Sequence, residues 1–193
     1  MKKLFVLFAL FAAACASTPS NTPEQRLAAV EHRLDKASEW SMAFTTSASG
    51  AVTGRFTGTM NVLAGNFASI DADGFLRGQQ MHIRWNASGS PSQVSHALSI
   101  GVVRLGIMHD LATLASGAKT IDNAEGGIDQ ALKMENLAWD AQNKKFTYHI
   151  LVDGQDAGTG ELRVGRGDMP RSRVLDVKFP NGIMHVEERY EWR

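Results

Sequence analysis

The sequence predicts an α+β fold: a curled antiparallel sheet, a half-open β-barrel of about eight or more strands, with an N-terminal helix and a central helix covering the concave face. Three observations predict it. Most of the chain alternates apolar and polar residues with period two, as strands with one wet face do. Gly, Asn and Asp punctuate the alternation at hairpin spacing. Finally, Ser92 to Ser116, SQVSHALSIGVVRLGIMHDLATLAS, is the longest apolar run after the N-terminus. In it Val94, Leu98, Gly101, Leu105, Met108, Leu111 and Ala115 recur at helical spacing. Ile100, Val103 and Ile107 lie beyond that stripe, so this helix wants protein on more than one side. A sheet with one greasy face must curl on itself or be covered, and the mid-chain helix is its natural cover.

The chain opens on a processing signal. Met1-Lys2-Lys3 is a charged start, Leu4 to Ala14 is apolar, and small residues lead to Cys15. The run is shorter than the roughly 20 residues a spanning helix needs. Ala12-Ala13-Ala14-Cys15 reads as a lipobox, with residues 1–14 removed as signal peptide and Cys15 lipidated, palmitate among its acyl chains. Cys15 is the only cysteine and has no disulfide partner within the chain. Ala12 departs from the usual leucine. The alternative is cleavage after an Ala-x-Ala site, which would leave a soluble periplasmic protein. Residues 15–21 then form the lipidated Cys and a polar tether, and 22–193 one domain. Ala16 after the cysteine favours the outer membrane, facing the periplasm, by resemblance to enterobacterial lipoproteins.

Thr22-Pro23-Glu24-Gln25 starts a helix, with Thr22 as cap, Pro23 in the first turn and Glu24 suited to the helix dipole. Leu27, Val30, Leu34 and Ala37 make one apolar stripe opposite Arg26, Glu31, Arg33 and Lys36, so this helix lies on a surface. Period two follows. Trp40, Met42 and Phe44 share a face, as do Phe56, Met60 and Val62, and then Met81, Ile83 and Trp85. Asn66 to Asp71 alternates less cleanly. Ser49-Gly50, Ala64-Gly65-Asn66 and Asp73-Gly74 have hairpin-turn chemistry. Beyond the central helix, Gly117 to Gly127 is a polar connection and Ala131 to Trp139 a further strand. Phe146, Tyr148, Ile150 and Val152 alternate; Asp153-Gly154 turns into Gly158 to Val164. Leu175, Val177 and Phe179 share a face, and Pro180-Asn181-Gly182 turns into Met184, Val186, Tyr190 and Trp192.

The cadence Arg33-Leu34-Asp35-Lys36-Ala37-Ser38, then Trp40 and Phe44, resembles the helix and first strand of the periplasmic outer-membrane lipoprotein carrier and receptor family (LolA, LolB and relatives). The order helix, strands, helical lid, strands is similar across most of the mature chain. Arg104 to Leu111 and Pro180 to Glu187 also look like a less characterised group of envelope proteins of this fold. The resemblance implies a half-open barrel that binds acyl chains, in lipid or lipoprotein trafficking. The receptor's protruding apolar loop has no clear counterpart beyond Phe75-Leu76.

Other chemistry finds little support. Lys plus Arg and Asp plus Glu balance at 20 each, and no basic run interleaves with aromatics, which argues against nucleic acid. The six histidines, His32, His82, His96, His109, His149 and His185, show no metal-ligand spacing, so neither metal nor cofactor is expected. No Gly-x-Ser-x-Gly elbow appears, so the chain reads as non-enzymatic. A hydrolytic role for His109 or His185 is the weakest reading. The expected cavity is lined by Met42, Phe44, Phe56, Met60, Met81, Ile83 and Trp85 from the sheet and Leu105 and Met108 from the lid. Arg104 and His109 stand at its polar end, or Arg104 makes a salt bridge to Glu125 or Asp129. The partners this predicts are a membrane, through the anchor, and a hydrophobic ligand or lipid. The alternative is a non-catalytic envelope scaffold or protein-interaction module without a cavity.

Overall fold

A computed structural model of the chain describes residues 22–37, 39–63, 67–88, 101–117 and 132–193. The signal run, Cys15 and the tether lie outside the described residues. So do the Ala64-Gly65-Asn66 turn, Ser92 to Ile100 and the greater part of the Gly117 to Gly127 connection.

Helix α1 (Pro23–Lys36) begins as its sequence dictates. Thr22 Oγ1 accepts from the Gln25 N–H at 3.3 Å, and the Gln25 side chain accepts from the Thr22 N–H at 3.1 Å. This reciprocal pair satisfies two amides that the first helical turn leaves open. Leu27, Val30 and Leu34 are its buried stripe.

Nine strands follow: β1 (Trp40–Gly50), β2 (Gly54–Leu63), β3 (Phe67–Leu76), β4 (Gln79–Ser88), β5 (Leu132–Asp140), β6 (Lys145–Val152), β7 (Gln155–Val164), β8 (Pro170–Phe179) and β9 (Gly182–Trp192). They form one antiparallel sheet in the order β4-β3-β2-β1-β9-β8-β7-β6-β5. Two meanders are thus stitched together where the first strand pairs with the last, Phe44 opposite Tyr190 and Thr46 opposite Glu188. The sheet is curled and not closed. Strands β4 and β5 stand at its two edges, so the chain between them must travel from one edge to the other. The described part of that crossing packs on the concave face, where α2 (Ile107–Ala115) touches β4, β1 and β9. The alternating strand residues and the crossing share one apolar core, from Leu34, Met42, Phe44 and Phe56 through Ile107, Met108 and Leu111 to Phe146 and Leu162.

Two expectations are corrected. Asp73-Gly74 is not a turn: β3 runs through it to Leu76, and the chain reverses at Arg77 and Gly78. Gly74 serves close approach instead, because a Cβ there would stand 1.9 Å from the Arg55 carbonyl oxygen and 2.6 Å from the Phe56 ring. The central stretch is also not one continuous helix. Its described part is a π-helical turn (Gly101–Leu105), a break at Gly106 with φ +91°, and then α2.

Candidate functional site

At the break in the crossing, a charged pair lies inside the apolar face. Strand pairing sets Thr46, Glu188 and Arg173 side by side on β1, β9 and β8. Both charged side chains are fully buried. Arg173 Nη1 donates to the Arg104 carbonyl at 2.7 Å and to the Tyr148 hydroxyl at 3.2 Å; Nη2 donates to the Val102 carbonyl at 2.5 Å. Its Nε lies 3.6 Å from Glu188 Oε2. Glu188 Oε1 accepts from the Met108 N–H at 2.7 Å and from Thr46 Oγ1 at 3.3 Å, while Oε2 accepts from the Tyr190 hydroxyl.

The break explains this arrangement. A helical turn ends in unpaired carbonyls with partial negative charge, and the next helix begins in unpaired N–H groups with partial positive charge. Gly106 caps α2 without a side chain. The sheet supplies what the crossing lacks: guanidinium to the carbonyls of the ending turn, carboxylate to the amide of the starting helix. Burial works against the Arg173 charge, but Tyr148, Tyr190 and Glu188 together outweigh it and keep the group protonated. Burial, and then the Glu188 carboxylate, push the Tyr190 phenol well above its usual range. Burial also raises Tyr148, with Arg173 opposing.

The residues expected to line a cavity divide into two groups. Met42, Phe44, Phe56, Met60, Leu105 and Met108 are buried. Met81, Ile83 and Trp85 line an open groove of about 480 Å³ between edge strand β4 and the end of α2, where Leu114 and Ala115 form the opposite wall. His82 and Arg84 border it. Arg104 meets Glu31 of α1, its Nε and Nη2 donating to the two carboxylate oxygens at 2.5 and 3.0 Å. Glu125 and Asp129, named as its partners, lie outside the described residues. His109 is half-buried, with Nδ1 3.5 Å from Oδ1 of the fully buried Asp110. A second cleft, about 300 Å³, sits on the convex face among Thr147, His149, Thr159, Glu161 and Asp176.

Sequence reasoning missed Arg173 and Glu188, although their phase signalled them. Arg173 shares its face with Leu175 and Val177, and Glu188 shares its face with Val186 and Tyr190. Opposite charges in the apolar phase of two adjoining strands are the readable sign of a buried pair.

The described fold is that of an open, curled antiparallel sheet holding a helical crossing in its concavity. Neither a protein-family profile nor a curated protein sequence matches the chain. Among solved structures it is similar to MucB, in a crystal structure of MucB in complex with MucA(peri): 9% identity over 89% of this chain and 54% of that one, TM-score 0.30. The chain thus spans about half the length of that MucB chain. It is also similar to a LolA superfamily protein from Nitrosomonas europaea: 9% identity over 88% of this chain and 91% of that one, TM-score 0.25. Both are distant, fold-level likenesses whose TM-scores carry no argument about the site.

Proposed function

We propose that this protein is a non-enzymatic, membrane-anchored binding protein of the periplasm that holds an acyl chain or another hydrophobic ligand, in lipid or lipoprotein trafficking. The observation that carries the reading is the groove walled by Met81, Ile83, Trp85 and Leu114. Its apolar wall comes from these side chains and Ala115, and its polar border from His82 and Arg84. Cys15, the lone cysteine closing an apolar leader, is the anchor. Met42, Phe44, Phe56, Met60, Leu105 and Met108 are buried, so a longer chain would have to displace them, and the reading assigns its polar end to Arg104 and His109.

A photoactivatable fatty acid tests this directly. Crosslinking followed by peptide mapping should mark the peptide holding Met81 to Trp85. Labelling spread evenly over the surface would overturn the reading. The burial of Met42, Phe44, Phe56, Met60, Leu105 and Met108 favours the second reading, an envelope scaffold that binds a protein partner and no lipid. It predicts no specific labelling of that peptide.

A further inference from the structure

The two edges of the open sheet are finished differently. Strand β5 carries a bulge between Glu135 and Ala138, with Asn136 at φ +53°, which breaks the row of main-chain groups on its free side. Strand β4 has no such guard. All ten of its residues hold register with β3 without a shift, from Leu76 opposite Gln79 to Phe67 opposite Ser88. It contains neither proline nor lysine, two of the devices that blunt an edge. Every second residue of such a strand turns its N–H and C=O away from its neighbour, toward the free side. Among the described residues no strand pairs with that side of β4.

The side chains of β4 define what an added strand would carry. On the concave face Met81, Ile83 and Trp85 wall the groove against Leu114 and Ala115, so apolar side chains fit there. On the convex face acidic and basic side chains alternate from strand to strand. Asp71 and Asp73 of β3 stand opposite Arg84 and His82 of β4. Arg84 Nε donates to Asp71 Oδ2 at 3.1 Å, and His82 Nδ1 lies 2.8 Å from Asp73 Oδ1. The Arg84 side chain stays 67% exposed, so its guanidinium can meet a further carboxylate. Opposite charges on neighbouring strands attract and like charges repel, so the next strand in this series is acidic. We propose that the free edge of β4 binds an extended segment of a protein partner, alternating apolar and acidic residues, as one more strand of the sheet. Main-chain hydrogen bonds supply the affinity, and the groove and the Arg84 face select the side chains. Such pairing rests on the scaffold reading and needs no acyl ligand. A strand and an acyl chain would meet the same Met81, Ile83 and Trp85 and exclude each other.

The probe is a fluorescein-labelled peptide as long as β4, ten residues of alternating Val and Glu, titrated with the full mature chain carrying Cys15→Ser and followed by fluorescence anisotropy. Saturable binding is expected, with no comparable binding of the alternating Val and Lys peptide. Arg84→Glu turns the cross-strand attraction into repulsion and should weaken binding roughly tenfold. Arg189→Glu, which alters an exposed cation on β9, should leave binding unchanged. N-methylation at alternate residues removes the N–H groups of one peptide edge and keeps every charge. Of the two peptides made this way, one should lose binding and the other keep it. Both are read on protein with Arg84 intact, so their result does not depend on how Arg84→Glu folds. Absence of saturable binding, equal affinity in Arg84→Glu, or full binding of both methylated peptides would overturn the proposal. So would a concentration-dependent dimer, by sedimentation, that dissociates in Arg84→Glu, because the edge would then belong to a second copy. Peptide binding and fatty-acid labelling are separate readouts: a missing peptide signal with no labelling of the Met81 to Trp85 peptide sinks the added strand and leaves the scaffold reading standing.

Discussion

Glu188 keeps a charge inside the core because it answers two needs at once: the open amide of Met108 and the guanidinium of Arg173. Removing one partner leaves the other charge buried and unpaired, which costs more than the pair contributes. Arg173→Met should therefore lower stability by about 3–5 kcal/mol in urea unfolding. Glu188→Gln keeps an acceptor for Met108 and leaves Arg173 its Val102 and Arg104 carbonyls and the Tyr148 hydroxyl, so it should cost less. Equal losses from the two would contradict the assigned contacts. The two tyrosines of the chain, Tyr148 and Tyr190, give a pH signature. Both phenols are raised in the folded protein, so the native state holds protons that the unfolded state releases near pH 10. Their contribution is complete below pH ~10 and is lost as pH climbs through the folded values. Tyrosinate absorbance should stay flat past pH ~10 and then rise with both phenols together as the protein unfolds. A simple titration centred on pH ~10 in folded protein would refute the buried network.

At the scale of elements, the two helices start by different means. Helix α1 carries its own cap in Thr22 and Gln25, readable from four consecutive residues. Helix α2 borrows its cap from β9, some eighty residues later in the chain. Thr22→Ala should cost about 1 kcal/mol, a local loss. Gly106→Ala should cost more, about 1–3 kcal/mol from backbone strain alone. Its Cβ would also stand 2.8 Å from Glu188 Oε2, forcing the carboxylate off the helix start. A smaller loss for Gly106→Ala than for Thr22→Ala, by thermal unfolding, would mean that the break is not held from the sheet. This contrast shows why one helix could be read from sequence and the other only in part. Apolar spacing located the crossing, but Gly106 looks like an ordinary member of the run until the sheet's charges are known. Asp73-Gly74 misled for a related reason: a glycine needed for close packing has the same letters as a glycine needed for a turn.

At the scale of the molecule, alternation along Trp40 to Phe44, Met81 to Trp85 and Phe146 to Val152 made the one-sided sheet legible, and the apolar crossing made its cover legible. Strand order was not, because the β1–β9 pairing joins residues at opposite ends of the chain. The expected cavity residues were legible as one apolar face. Which of them stay at an opening depends on where α2 ends relative to β4, a distance no local pattern encodes. That opening is the centre of the functional account. Of the four tryptophans, Trp85 lines the groove, Trp40 and Trp192 pack edge-to-face 5.5 Å apart, and Trp139 packs on Phe146. Bromine on an acyl chain quenches only an indole that it touches. The deciding measurement is therefore tryptophan fluorescence during titration with a brominated long-chain fatty acid. Saturable quenching that disappears in Trp85→Phe is expected; no quenching, or the same quenching in Trp85→Phe, would rule out an acyl chain in this groove.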